Sequence, residues 1–249
     1  MKKKLKALDD VCKTLREVDN AQVEFGLFRG CLSYNKINHL LRTCPPDLLQ
    51  DALGKFDDHF QNMVAEIMRV PCLTEDQWEQ ASLPVKFAGL GVNQTKVIAG
   101  SAYIGSCALT KDLVAALLGQ DASYEPSGVL ELLSAHETAT GIAHDFPSLS
   151  AKQSVQKLLS TERHESTFER LKARLSVRSH NLLFACSMPH ASDWLLAPPI
   201  PGLGLGLQSD VFRTALKFRL SVPLFNEPFP CPALSSSSGT VCDDTGCVW

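Results

Sequence analysis

The residues in this chain best able to do chemistry are a few of its cysteines, a row of arginines and one pair of aspartates. Cys242 and Cys247 are separated by four residues in the polar stretch "VCDDTGCVW", and Cys231 stands eleven residues before the first of them. Thiolates spaced this closely on a turn can share one tetrahedral zinc, but a closed site takes four ligands. Cys242 and Cys247 are therefore read as an incomplete metal site. Zinc is expected only if ligands beyond Trp249 complete it, and no other cofactor is expected in this chain. Arg163, Arg170, Arg174 and Arg178 are spaced seven, four and four apart. On one continuous helix they fall in a stripe roughly 80° wide, because each residue turns the helix by about 100°. Guanidinium groups bind phosphate bidentately, so this ladder is the candidate nucleic-acid-binding face. The competing account is an ordinary solvated face, softened by Glu162, Glu165 and Glu169.

Other stretches imitate catalytic motifs. "FDDHF" (56–60) pairs Asp57 with Asp58, as polymerases do for two metal ions. Here the pair lies inside a helical pattern, which favours a solvated helix face. "GLGLGL" (202–207) resembles a phosphate loop, but the third glycine of a G-x-G-x-x-G pattern falls on Leu207. It reads as an extended connector. "HE" at His136-Glu137 and at His164-Glu165 has no second histidine at the metalloprotease spacing, and no nucleophile elbow is present. No catalytic residue is assigned.

The elements that must position these residues are helical. The chain has 249 residues, 45% hydrophobic and 20% charged, with a net charge of -3, so nucleic-acid binding must rest on local patches rather than on overall charge. Apolar residues at spacings of three and four run from Lys2 to Val18, through Val23 to Leu41 with a break near Gly30–Ser33, and from an Asp47 cap to Ile67. Thr74 and Gln77 form a capping box ahead of Trp78. A buried helix is expected over 94–118, interrupted near Thr110, with small residues admitting a close neighbour. Further helices are expected over 128–144, over 150–177 with Phe168, Leu171 and Leu175 docking it, and from a Ser209 cap onwards. Strand alternation is nearly absent. The expected fold is mainly α: an irregular multi-helix bundle over 1–186, a Pro/Gly-rich connector and packed helix over 187–222, and a mobile C-terminal tail over 223–249. The basic N-terminus lacks an apolar segment behind it, and no run reaches about 18 apolar residues, so the expectation is an intracellular protein, nuclear or cytoplasmic, without a membrane partner. The cysteines at 12, 31, 44, 72, 107 and 186 then read as reduced, mostly as small buried hydrophobes.

Five short motifs occur in order: "HLLRTCPP" (39–46), "W..ASLP...AGLG" (78–91), "DWLLAPPIPGLGLGL" (193–207), "VFRTALKFRLSVPL" (211–224), then the cysteine pair. In that order and at those distances they resemble the region downstream of the polymerase domain in reverse-transcriptase-like proteins of non-LTR retrotransposons, over nearly the whole chain. One departure is Ala88-Gly89, where the family usually has two glycines. The resemblance implies a thumb and linker that follow a polymerase palm and grip a template–primer duplex by its backbone. It also implies a Cys-Cys-His-Cys zinc motif, of which Cys242 and Cys247 match the first half. The chain is thus expected to be a non-catalytic fragment whose partners are RNA or RNA–DNA duplex and the missing palm domain. The alternative is a helical protein-interaction module, or a genomic relic, with no nucleic-acid role.

Overall fold

In the computed structural model the described residues are 2–119 and 126–224, and among them there is no strand. The chain runs α1 (Lys2–Arg16), α2 (Ala21–Leu27), a π turn over Phe28–Leu32, α3 (Asn38–Thr43), α4 (Gln50–Met68), α5 (Glu75–Ser82) and α6 (Thr95–Leu118). Then follow α7 (Val129–Thr140), α8 (Phe146–Ser150), α9 (Val155–Arg174), α10 (Val177–Ser187), α11 (Asp193–Leu196) and α12 (Ser209–Arg219). The mainly α expectation holds. The flexible tail expected over 223–249, with Cys231, Cys242 and Cys247, lies outside the described residues from Phe225 onward.

Three apolar clusters build the core. The largest gathers Phe25, Phe28, Phe56, Phe60 and Phe212 with the buried faces of α1 to α5, α11, α12 and the first half of α6. The second half of α6 supplies Ile104 and Ala108 to a smaller cluster with Val129, Leu133, Phe146, Leu149 and Leu159. Leu171 and Leu183 close a third with Leu83 and Ala88, and Phe168 and Leu175 pack against it, as their spacing predicted. α6 is the element common to the first two. α9 approaches it closely because residue 105 is glycine: a Cβ there would stand 2.8 Å from the Gln156 backbone nitrogen. The interruption expected near Thr110 is absent, since the Thr110 hydroxyl donates to the Ser106 carbonyl of its own helix and the ladder runs on to Gly119. By length and composition α6 could cross a membrane, with 24 residues and a mean hydropathy of 1.2 over its most apolar window. It packs against α3, α4 and α9, and 28% of that window is buried.

The start of α6 is held from outside. Gln94 offers it no side-chain cap. Instead the Asp57 carboxylate of α4 accepts from the Thr95 amide at 2.6 Å, the Thr95 hydroxyl at 2.8 Å and the Lys96 amide at 3.1 Å. A carboxylate there meets orphan amides and the positive end of the helix dipole. Asp57 is buried, which corrects the solvated-face reading for it, while Asp58 is exposed. Burial pushes the Asp57 carboxyl above the ordinary aspartate value, against the pull of these hydrogen bonds.

Other local expectations divide. The Thr74–Gln77 capping box is present in both directions. Asp47 does not cap α4: it falls in a 3-10 turn over Pro46–Leu49, and α4 starts after it. Ser209 begins α12, but its hydroxyl accepts from the Ala21 amide at the start of α2. The helix expected over 150–177 is shorter, Val155–Arg174, and ends where Leu175 turns extended and Ser176 caps α10 by accepting from the Ser179 amide. Of the six described cysteines only Cys12 is fully buried, while Cys31 and Cys72 are exposed.

Two of the motif segments meet at a buried arginine. Arg219 is 2% exposed. It donates from Nε to the Gly89 carbonyl and from an Nη to the Val85 carbonyl, both at 3.2 Å. Gln80 answers by donating to the Arg219 carbonyl at 2.8 Å and to the Ala88 carbonyl at 3.3 Å. The turn so held is tight. A Cβ on Gly89 would fall 1.9 Å from the Leu83 carbonyl oxygen. Ala88 sits at φ 62°, the left-handed region in which glycine is easier. Residue 88 is thus an alanine where the backbone would accept glycine more easily.

Replacing Arg219 by Met leaves the buried Gly89 carbonyl unanswered, while the Val85 carbonyl keeps the Ala88 amide, and an unmet buried group costs about 1–3 kcal/mol. Arg219→Met is expected to lower unfolding stability by about 1–3 kcal/mol, and Gly89→Ala by at least as much. Asp58→Ala on the exposed face of α4 should change it by less than about 0.5 kcal/mol. Urea midpoints of the three variants check the ordering.

Candidate nucleic-acid interface and a histidine–glutamate cluster

The arginine ladder is not the open stripe that its spacing implies. Arg163, Arg170 and Arg174 lie on α9, but Arg178 is the second residue of α10, past the break at Leu175–Ser176. Ser176 was the local signal, an N-cap residue type ahead of an apolar position. Arg170 pairs with Glu79, and Arg174 pairs with Asp76 and, at 2.6 Å, with Glu79. The hydrogen bond to Glu79, more than its charge, holds the Arg174 guanidinium above its ordinary value. Arg163 donates to the Ala135 carbonyl of α7 at 3.4 Å, and burial lowers its pKa. These three arginines tie α9 to α5 and α7. They are joints of the fold before they are anything else.

Free positive charge collects instead at the start of α9. A groove of about 700 Å³ runs between α6 and α9, lined by Tyr34, Arg42, Asn93, Lys152, Lys157 and Thr161 among others, with Asp112 the one acidic residue on its wall. Arg42 stands in the middle of "HLLRTCPP", in the last turn of α3. Among the described residues neither Arg42 nor Lys157 forms an ion pair. Ser154 enters α9 in the left-handed region and gives it no side-chain cap, so the first turn carries uncapped amides beside these cations. His164 lines both this groove and a smaller one that holds Asp57, Asp58 and Lys96. Burial, helped by the Lys86 charge, pulls its pKa down to about 4.

"GLGLGL" packs back onto the fold. It docks on α2, where the Gln22 amide donates to the Leu205 carbonyl at 3.3 Å and the Leu207 amide donates to Gln22 at 2.8 Å. The connector reading is the right one. Trp194 anchors the same segment by an edge contact to Phe212 at 5.7 Å between ring centroids.

One cluster had no sequence signature. His136 on α7, His144 in the loop after it and Glu162 on α9 converge. Both imidazole Nε2 atoms reach the same Glu162 oxygen, at 2.9 and 2.8 Å. His136 is buried, and burial lowers its pKa against the raising effect of Glu162. Gly141 makes the convergence possible. At φ 74° it ends α7 and turns the chain back, which brings residue 144 beside residue 136. The two histidines are eight apart and their carboxylate a further eighteen on, a spacing that matches no metal-ligand pattern. Comparison with family models, curated proteins and solved structures finds no match to this chain.

The His164 environment generates a pH dependence. Unfolded, its imidazole titrates near the ordinary 6.5; folded, near 4. Between these values the unfolded chain binds the extra proton, so stability present above about pH 6.5 is lost as the pH falls towards 4. The loss attributable to this residue between about pH 7 and pH 4.5 is about 2–3 kcal/mol. Urea unfolding of the parent and of His164→Leu at the two pH values should show a smaller acid loss in the variant.

Proposed function

We propose that this chain is a non-catalytic, thumb-like accessory region of a reverse-transcriptase-like protein and binds the phosphate backbone of RNA or RNA–DNA duplex. The observation that carries the reading is the groove at the start of α9, where Arg42, Lys152 and Lys157 face one acidic residue, Asp112. Cations beside uncapped helix amides suit a phosphate strand. The ordered motifs add support, since three of the described ones act as packing joints that would hold such a groove in shape. The ladder of Arg163, Arg170, Arg174 and Arg178 contributes by bracing α9 rather than by meeting phosphate. Cys242 and Cys247 keep their place in this reading as half of a zinc motif.

A second reading, a helical protein-interaction module, is favoured by one specific feature. Leu109, Leu113 and Leu117 recur every four residues along α6 and are 76%, 62% and 77% exposed. Such an apolar stripe on a helix is an ordinary protein-docking feature.

The two readings separate by salt. Binding to a short fluorescent RNA–DNA hybrid should weaken steeply as salt rises. Each phosphate contact adds about 0.9 to the slope of log K against log salt, so Arg42→Gln, Lys152→Gln and Lys157→Gln together should lower the slope by about 3. Changing Arg170 and Arg174 to Gln should move thermal stability more than the slope. A folded chain that binds no hybrid at any salt would sink the duplex reading and leave the protein-contact module.

A further inference from the structure

Three ligand-type atoms from three separate elements meet between α7 and α9. We propose that His136, His144 and Glu162 bind one zinc-class divalent cation. The Nε2 atoms of both histidines and the carboxylate of Glu162 all lie within 4.8 Å of one another, near enough for small side-chain shifts to bring them onto one ion. Two imidazoles and one carboxylate are a donor set that zinc accepts, and they leave at least one position for water. The site does not depend on the phosphate groove or on the terminal cysteines.

The surrounding fold favours a preformed site. His136 lies one turn beyond Leu133, and Glu162 one turn beyond Leu158 and Leu159, so both sit at the polar edge of the second apolar cluster. His136 is buried, and the His144 and Glu162 side chains are each 12% exposed. The Thr140 hydroxyl donates to the His136 carbonyl and accepts from the Ile142 amide, which fixes the turn that separates the two histidines. Arg163 lies close enough to act on His136, but its guanidinium is held at the Ala135 carbonyl. In the competing account the cluster is a metal-free clasp, one carboxylate oxygen accepting from two imidazole N–H groups. Its binding behaviour would differ.

The test is a cobalt titration of the full chain carrying Cys231→Ser, Cys242→Ser and Cys247→Ser, so that thiolates at these positions cannot supply the signal. One equivalent of Co²⁺ should bind with visible ligand-field bands and no thiolate charge-transfer band. His144→Ala and Glu162→Gln in that background should each weaken binding at least tenfold. Because a variant could lose its fold, melting of the parent chain is followed in parallel, and its midpoint should climb with free Zn²⁺. No bound equivalent on a folded chain, a melting temperature indifferent to zinc, or unchanged affinity in both variants would each overturn the proposal in favour of the clasp.

Discussion

A buried guanidinium with no carboxylate beside it sets the terms for much of this molecule. Taking the Arg219 side chain out of water is unfavourable unless its donors are met. They are met by the Gly89 and Val85 carbonyls of one turn, and by the Cys186 thiol. Desolvation lowers the Arg219 pKa and raises that of Cys186. The turn in turn depends on Arg219, because the buried Gly89 carbonyl has no other partner among the described residues. This mutual requirement joins the end of α12 to the connector between α5 and α6. It brings late and early segments of the chain together, and a third segment, at α10, with them. The left-handed Ala88 and the crowded Gly89 belong to the same arrangement: the turn must be tight for its carbonyls to point at one side chain.

From that joint the rest follows in order. The connector delivers Thr95 to Asp57, which starts α6 from outside the helix. α6 then runs unbroken through two apolar clusters, and Gly105 lets α9 lie against it. The position of α9 decides everything with chemical potential. Its first turn brings Lys157 to the groove, its middle offers Glu162 to two histidines, and its last turns bind acidic residues of α5 through arginine. A helix used along its whole length as a strut has few positions free for another task, which is why the arginines are paired and the unpaired cations sit at its start.

Much of the local structure was legible. The capping box at Thr74, the break near Gly30, the docking of Phe168, Leu171 and Leu175, and the connector character of "GLGLGL" all follow from periodicity and turn chemistry, which are local properties. The misreadings share another cause. Asp57 resembles a solvated helix residue because nothing in its neighbourhood announces an amide 38 positions away. The arginine ladder resembles a free basic face because Asp76 and Glu79 lie some 90 residues earlier. Cys31 and Cys72 stand among apolar residues in sequence and at the surface in space.

The sequence by itself determined where helices form and which of their faces are apolar, because an amphipathic period needs no knowledge of the partner. It also placed the motif order on which the resemblance rests. Only the tertiary structure decided what each polar side chain is for. A carboxylate can cap a helix, neutralise an arginine or ligate a metal, and the choice depends on which group the fold sets within about 3 Å of it. Asp57, Glu79 and Glu162 are chemically alike in the chain. The fold sets them before helix amides, before guanidinium groups and before two imidazoles, and those neighbours make the difference.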